Sequence, residues 1–542
     1  MSDLVTDVAD RKDHQTWGIA LAAVAVTSAA PLLAVRYLPF TDLPEHVASI
    51  ATMSRLLPGG GGSADYALAL GQSQYLVYDL VAVVFTRLLG GDANLANRLC
   101  LSLVAVAWPY AMRALLRALD RDERIALLAP AVFWSRALTI GFLPFVASMP
   151  LALYALAVLL RHLREPTRKR GLWLAVVAFV LFYTHVSSFV VFAFAGGVMT
   201  LVRVAPSRDV KRALALLAPM VPSMIAALVW WRAGSLNARP GEREHIGRLP
   251  GHVAFDAVPI WAFDVWRSHW DELWSALWWT AFSLVAIAGL RRKADAESLR
   301  SGAFAGVPLV CALLIYLVTP FHVGAAGYLD VRLAPMLALF VLPLLRPVPG
   351  RITNVALVIA TIGATGGAIT AVREMKRVEH EMVGDFDGLL AKMKPHTRLA
   401  MLNFAQRSPR MYFWPYVFAG AYHRQKEGTV TAYSFNDTVD HWPIHYAPHA
   451  ERPPSHPGFW VYSPCVYEFR RDGLYYDYLL VQGPHSPFDP GHPGPEYREV
   501  GRSGGFLLFE KVSNEDAEPD LPDRGPCAPR IGPPLPPPPN RP

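Results

Sequence analysis

Apolar blocks about twenty residues long alternate with short polar joints along the first two thirds of the chain, a pattern that predicts helices able to span hydrocarbon. The blocks fall at 17–35, 95–117, 125–143, 145–161, 172–185, 187–202, 213–231, 273–290, 303–320, 331–346 and 352–371. Every second joint is basic. Arg113, Arg117, Arg121 and Arg124 follow the second block, and Arg161, Arg164, Arg168, Lys169 and Arg170 follow the fourth. Arg203, Arg208, Lys211 and Arg212 follow the sixth, Arg291, Arg292 and Lys293 the eighth, and Arg346 and Arg351 the tenth. Basic loops stay cytoplasmic, so the pattern predicts about eleven spans, a cytoplasmic tail 1–16 and an external C-terminal region.

One short apolar stretch, 75–89, carries Asp79 and Arg87 and would invert every later loop if it crossed. It is therefore expected on the outer membrane surface, within an external loop 36–94 of the 17–371 membrane domain. From 372 the pattern changes to short alternating runs at Arg398 to Phe404, Tyr476 to Gln482 and Gly505 to Lys511. These predict strands, and with a helical Glu374 to Met393 they predict a small α/β domain over 372–513. The proline-rich end, 514–542, is expected to be disordered. The fold class read from this pattern is an all-α polytopic membrane protein with a small C-terminal extracytoplasmic α/β domain.

Composition agrees: 53% of the 542 residues are hydrophobic and only 18% charged, with a mean hydropathy of +0.25. The net charge of +7 lies in short clusters between apolar blocks. That distribution is topological and gives no basic face for nucleic acid. Four cysteines give no metal spacing; Cys465 and Cys527 lie in the polar part, where a disulfide between them is one reading, and Cys100 and Cys311 lie in apolar blocks. The first apolar block runs past signal-peptide length with no small-residue cleavage site, so it is expected to be a retained span.

Candidate chemistry begins at Tyr37-Leu-Pro-Phe-Thr-Asp-Leu-Pro-Glu-His46, directly after the first block. Asp42, Glu45 and His46 put three titratable groups within five residues at the membrane surface. A carboxylate there could take a hydroxyl proton or hold a cation. The alternative is structural: Asp42 as an N-cap and Glu45 as its capping-box partner, opening a surface helix to Leu57. The pattern alone leaves both readings open.

This layout resembles the GT-C superfamily of membrane glycosyltransferases, which includes protein O-mannosyltransferases and bacterial aminoarabinose transferases. The matching parts are the acidic motif Asp42 with Glu45 in a long first external loop, surface helices at 43–57 and 75–89, many further spans and a C-terminal domain. Three further segments are similar to those of uncharacterised bacterial relatives: Gly141-Phe-Leu-Pro-Phe-Val-Ala-Ser-Met-Pro-Leu-Ala-Leu153, Tyr183-Thr-His-Val-Ser187 and Tyr328-Leu-Asp-Val-Arg-Leu-Ala-Pro335. The acidic motif departs from the adjacent acids of the mannosyltransferases and from the Asp-x-Asp of other families, and this departure leaves substrate and metal dependence open. The resemblance implies a polyprenyl-phosphate-linked sugar as donor, a glycan, lipid or protein as acceptor, and a bacterial inner membrane as location. It implies Asp42 as the base that activates the acceptor hydroxyl, with Glu45 and His46 beside it. Arg332 is implied as the cation at the departing phosphate, with His185 as a second donor-binding group. A divalent metal ion, if one takes part, would fall to Asp42 and Glu45.

Each of these residues also has a plain reading. Arg332 could anchor at the interface or pair with Asp330, and His185 could be a backbone-bonded interfacial histidine. His322, after the ninth block, fits that plain reading best. The loop 232–272 carries Arg239, Glu242, Arg243, Glu244, His245, Trp261, Trp266, His269 and Trp270; its tryptophans either stack on sugar or form an interfacial belt. His441, His445, His449 and His456 lie among prolines without helical spacing, which argues against zinc. Two other functions fit a polytopic chain, a transporter or flippase and a catalytically silent scaffold. Intramembrane charge and inverted repeats would be expected of the former; no repeat is found, and the odd span count with a unique acidic first loop argues against it.

Overall fold

The computed structural model describes every residue except 1, 233–245, 248–250, 291–295, 324–326, 349, 433, 440, 454–458, 484–495 and 515–542. The chain divides into two compact units: Met1–Arg36, Leu70–Ala82 and Ala96–Glu374 form the first, and Tyr37–Ala69, Val83–Leu95 and Met375–Pro542 the second. Arg239, Glu242, Arg243, Glu244, His245, His456, Cys527, the basic cluster at 291–293 and the proline-rich tail all lie outside the described residues.

The first unit is helical. Among the described residues seven helices are long and apolar enough to cross a membrane: Thr16–Ala34, Ala93–Ala118, Leu143–Arg164, Val186–Val204, Val210–Arg232, Trp270–Leu290 and Arg351–Met382. Three shorter apolar helices accompany them at Ala254–Phe263, Gly302–Val318 and Val331–Leu344. The chain is thus a multi-pass membrane protein. Two expected blocks fold differently from a plain span. The block 125–143 is no single helix: a 3-10 run over Glu123–Val132 contains Pro130, and a separate short helix over Arg136–Ile140 ends at Gly141 with φ 100°. Proline removes a helical N–H and glycine tolerates the left-handed turn, so the backbone breaks there. The block 331–346 is likewise split into 3-10, α and 3-10 pieces, with Pro335 and Pro343 at the first turns of the second and third. The loop 232–272 contains a helix that periodicity missed, Gly251–Phe263 with Pro259 inside it.

The second unit is mixed. Its five-stranded sheet runs in the order Val430–Thr431, Arg398–Asn403, Tyr478–Gln482, Phe506–Ser513, Glu496–Ser503. The first two pairings are parallel and the last two antiparallel. Central strand Tyr478–Gln482 is buried along its whole length, which explains its unbroken apolar run. The three expected strands are present. The fourth long strand, Glu496–Ser503, escaped notice because it has no buried face to impose alternation. Trp460, Tyr467, Phe469, Tyr476 and Leu479 form the core against the sheet, with Trp460 and Tyr467 edge to face at 4.8 Å.

The expected surface helix after Asp42 exists as Leu43–Leu56. It does not present a polar face: every residue from Leu43 to Met53 is buried within the second unit. The 3-10 turn Ala419–Gln425 packs along it, and Tyr66–Leu68 pairs antiparallel with Ile444–Tyr446 beside it. Its C-terminal carbonyls are closed by Arg87, which donates to Ser54, Leu57 and Pro58 at 2.7, 2.9 and 2.9 Å.

Candidate active site

In the second unit, the segment Tyr37 to His46 is held by hydrogen bonds to residues far along the chain. Tyr37 N–H donates to Glu379 Oε1 at 2.7 Å, its hydroxyl donates to Asp387 Oδ1 at 2.6 Å, and its carbonyl accepts from the Tyr416 hydroxyl at 2.7 Å. Thr41 Oγ1 donates to the Trp414 carbonyl at 3.1 Å. These bonds fix where the acidic motif begins.

Asp42 occupies the N-cap position of the Leu43–Leu56 helix, yet its side chain makes no capping hydrogen bond. Only its carbonyl serves the helix, accepting from Glu45 and His46 N–H at 3.1 and 3.3 Å. The carboxylate is half-buried. Capping does not account for it.

Glu45 has a different role. It is 1% exposed, and one carboxylate oxygen, Oε2, accepts from Arg424 Nη2 and from Phe435 N–H, the latter at 3.1 Å. Arg424 is 0% exposed and also donates from Nη1 to Ser434 Oγ. Burial pushes the Glu45 carboxyl up, while the Arg424 charge and the Phe435 N–H pull it back. The second carboxylate oxygen, Oε1, has no hydrogen-bond partner. The cavity Glu45 helps to line holds about 10 Å³, walled by Met401, Phe418 and Trp460 among others. That volume admits a water and no sugar. Glu45 is therefore the anchor of its helix and no capping-box residue. His46 is 3% exposed, with its ring tilted against Trp442 at 5.0 Å, and Trp442 Nε1 donates to Ser49 Oγ.

Arg424 is the residue that sequence reasoning missed. It stands 379 positions from Glu45, and nothing local in Tyr422-His423-Arg424 marks it for burial. Among the described residues no group of three or more His, Cys, Asp or Glu is poised around a metal position. With Glu45 engaged by Arg424, the acidic motif reduces to Asp42, short of the several oxygens a divalent cation needs. Among the described residues the acidic motif does not by itself fit a metal centre built by the protein.

In the first unit, the three segments that carry the family resemblance pack on one another. Arg332 lies with its guanidinium 4.1 Å over the Phe142 ring, at the start of the Leu143–Arg164 helix. It is 8% exposed and donates to the carbonyls of Tyr328 and Gly327 at 3.0 and 2.6 Å. Asp330 Oδ1 accepts from Val331 N–H at 2.6 Å, and the neighbouring Arg332 charge acts on the same carboxylate. One turn along the same helix, Phe145 meets the His185 ring edge to face at 5.2 Å, and Ser148 and Ser188 share a hydroxyl hydrogen bond of 2.6 Å. His185 sits in the expected hairpin between Arg168–Thr184 and Val186–Val204, as C-cap of one and N-cap of the other. Its Nδ1 accepts from Ser187 N–H at 3.2 Å, and its other face stacks on Tyr75 at 5.3 Å. Nδ1 being an acceptor, Nε2 carries the proton of the neutral ring. His322 pairs its backbone in a two-residue strand with Ile246–Gly247.

No protein-family model and no curated protein sequence matches the chain. Among solved structures it is similar to the arabinofuranosyltransferase AftD from mycobacteria, with 16% identity and a TM-score of 0.50 over 91% of this chain and 40% of that one. A mutant form of the same enzyme gives 16% identity and a TM-score of 0.47 over 92% and 42% of the two chains. The chain spans well under half the length of these enzymes. At this identity the likeness is one of fold.

Proposed function

We propose that the chain is a GT-C-like glycosyltransferase that moves a sugar from a polyprenyl-phosphate donor to a hydroxyl of an extracytoplasmic glycan, lipid or protein, in a bacterial inner membrane. What carries the reading is the buried Arg332 guanidinium, held by two carbonyl oxygens and an aromatic face on a fold shared with a glycosyltransferase. A planar, permanently charged fork suits a departing phosphate better than any neutral group. In the proposed reaction the acceptor oxygen bonds to the anomeric carbon as the bond from that carbon to the phosphate oxygen breaks. The phosphate leaves as an anion stabilised by Arg332, with His185 as a second donor in the same unit; the acceptor hydroxyl proton passes to a carboxylate base, a role proposed for Asp42 on the family resemblance and not on its position relative to Arg332. Asp42 is preferred over Glu45 as base because Glu45 is committed to Arg424 and closed off.

The test is steady-state transfer from a polyprenyl-phosphate sugar by parent, Asp42→Asn, Arg332→Lys and Arg332→Ala proteins. Asp42→Asn is expected to lower kcat about 100- to 10,000-fold, the usual loss on removing a positioned base. Arg332→Ala should impair donor use more than Arg332→Lys, which keeps the charge and loses the fork. Transfer at the parental rate by well-folded Asp42→Asn protein would remove Asp42 from the reaction.

A further inference from the structure

The loop that carries Trp266 and Trp270 leads into a feature of the first unit that the transfer reaction does not use. Trp134, Phe263, Trp266, Asp271, Trp274 and Thr370 line a cavity of about 30 Å³ at the start of the Trp270–Leu290 helix. Two features shape its walls. Trp274 Nε1 donates to Thr370 Oγ1 at 2.9 Å, which fixes the ring. Gly366 is required behind it, since a Cβ there would stand 2.7 Å from Trp274 ring atoms. Trp266 is 2% exposed, and its N–H and that of Val265 both donate to Asp271 Oδ2 at 2.6 Å.

Two polar atoms of the lining residues are left over. Asp271 is 8% exposed and its Oδ1 has no hydrogen-bond partner; Trp134 is 6% exposed and its Nε1–H has none. A buried acceptor and a buried donor, each unmet, cost free energy unless something supplies both complements. An ammonium supplies donors alone and would leave Trp134 unmet. A phosphate supplies acceptors and would be repelled by Asp271. A hydroxyl is both donor and acceptor, and the C–H groups of its carbon pack on indole faces. The volume is that of about two waters, which fits one hydroxymethyl arm and not a whole sugar ring.

We infer that this cavity is a binding site for the hydroxymethyl group of a polyhydroxylated ligand, either a sugar or the glycerol headgroup of a lipid, gripped between Asp271 and Trp134. The site is independent of the transfer reading: its readout is binding, so failure of one leaves the other standing. The experiment uses the full chain in phosphatidylcholine nanodiscs. Saturable binding is measured for methyl glucoside in solution and for phosphatidylglycerol or phosphatidylethanolamine added to the discs. Saturable binding of methyl glucoside supports the site with a sugar as source, and preference for phosphatidylglycerol over phosphatidylethanolamine supports it with a lipid headgroup as source. Trp134→Phe keeps the ring and deletes the donor, and should weaken the bound probe about 5- to 100-fold, the range for one lost buried hydrogen bond. Asp271→Asn keeps an acceptor for the two backbone N–H groups and turns the free acceptor into a donor, and should weaken it similarly; if that variant does not fold, Trp134→Phe decides. The inference is overturned if neither probe saturates, if phosphatidylethanolamine binds as well as phosphatidylglycerol with no glucoside binding, or if Trp134→Phe binds like the parent. In those cases the cavity holds buried water alone.

Discussion

Two helix starts, one in each unit, divide the labour of capping and chemistry in opposite ways. At the start of Val186–Val204 the cap is a histidine: His185 Nδ1 takes the Ser187 N–H, and its ring is clasped by Phe145 and Tyr75. At the start of Leu43–Leu56 the residue in the cap position is an aspartate, the commoner choice, and it does not cap. That helix is secured one turn later by the buried Glu45–Arg424 pair and at its far end by Arg87. Where an ion pair anchors a helix, the residue at its start need not cap it. Asp42 stands in the cap position without a side-chain capping bond.

The contrast can be broken most sharply at Arg424. Replacing it with methionine leaves Glu45 as a buried acid without its cation, and should cost about 3–5 kcal/mol of stability. The double variant Glu45→Gln with Arg424→Met should recover most of that loss, because no charge is then stranded. Thermal melts of the purified single and double variants give the coupling directly. If the two losses simply added, the pair would not be the anchor.

A smaller effect comes from the same 3-10 turn. Burial holds the His423 ring down at about 3, against an ordinary value of 6.5, with Nε2 on Thr397 Oγ1 at 2.9 Å. Below pH 6.5 the unfolded chain binds a proton there that the folded chain refuses, so His423 makes stability fall as pH drops from about 6.5 toward 3. The slope from this group approaches about 1.4 kcal/mol per pH unit. Melting curves of parent and His423→Gln protein between pH 7 and 4 should diverge by that slope, and parallel curves would remove His423 as the cause.

The smallest effect tests the two caps side by side. His185→Ala should lose about 0.5–2 kcal/mol through its cap, and His185→Asn, which can cap, should lose less. Asp42→Asn and Asp42→Ala should not separate as the two His185 variants do, since no side-chain capping bond is present to be kept by the amide. A rescue by Asp42→Asn over Asp42→Ala as large as that at His185 would show that Asp42 caps its helix in solution.

Much of this architecture was legible along the sequence. Apolar block length marked the spans, and short apolar runs marked the three strands that are largely buried. The breaks in 125–143 and 331–346 were written in Pro130, Gly141, Pro335 and Pro343, but averaging hydropathy over a block hides single residues that remove a hydrogen bond or turn the backbone. The capping box at Asp42 and Glu45 was the natural local reading. It lost to a long-range contact: Glu45 and Arg424 lie 379 residues apart, and no periodicity within either segment records such a partner. Arg332 and His185 were picked out as chemical types. Their common support on the first turns of Leu143–Arg164, through Phe142 and Phe145, needed three dimensions to be seen.

The central claim is that this fold transfers sugar. Purified chain is incorporated into vesicles with a labelled polyprenyl-phosphate sugar, and two products are followed in one sample: label joined to an acceptor hydroxyl, and intact donor moved between leaflets. The account predicts a labelled acceptor with stoichiometric release of polyprenyl phosphate, and loss of both in Asp42→Asn protein. Movement of intact donor across the bilayer without any transfer, unchanged in Asp42→Asn, would contradict it and make the chain a transporter.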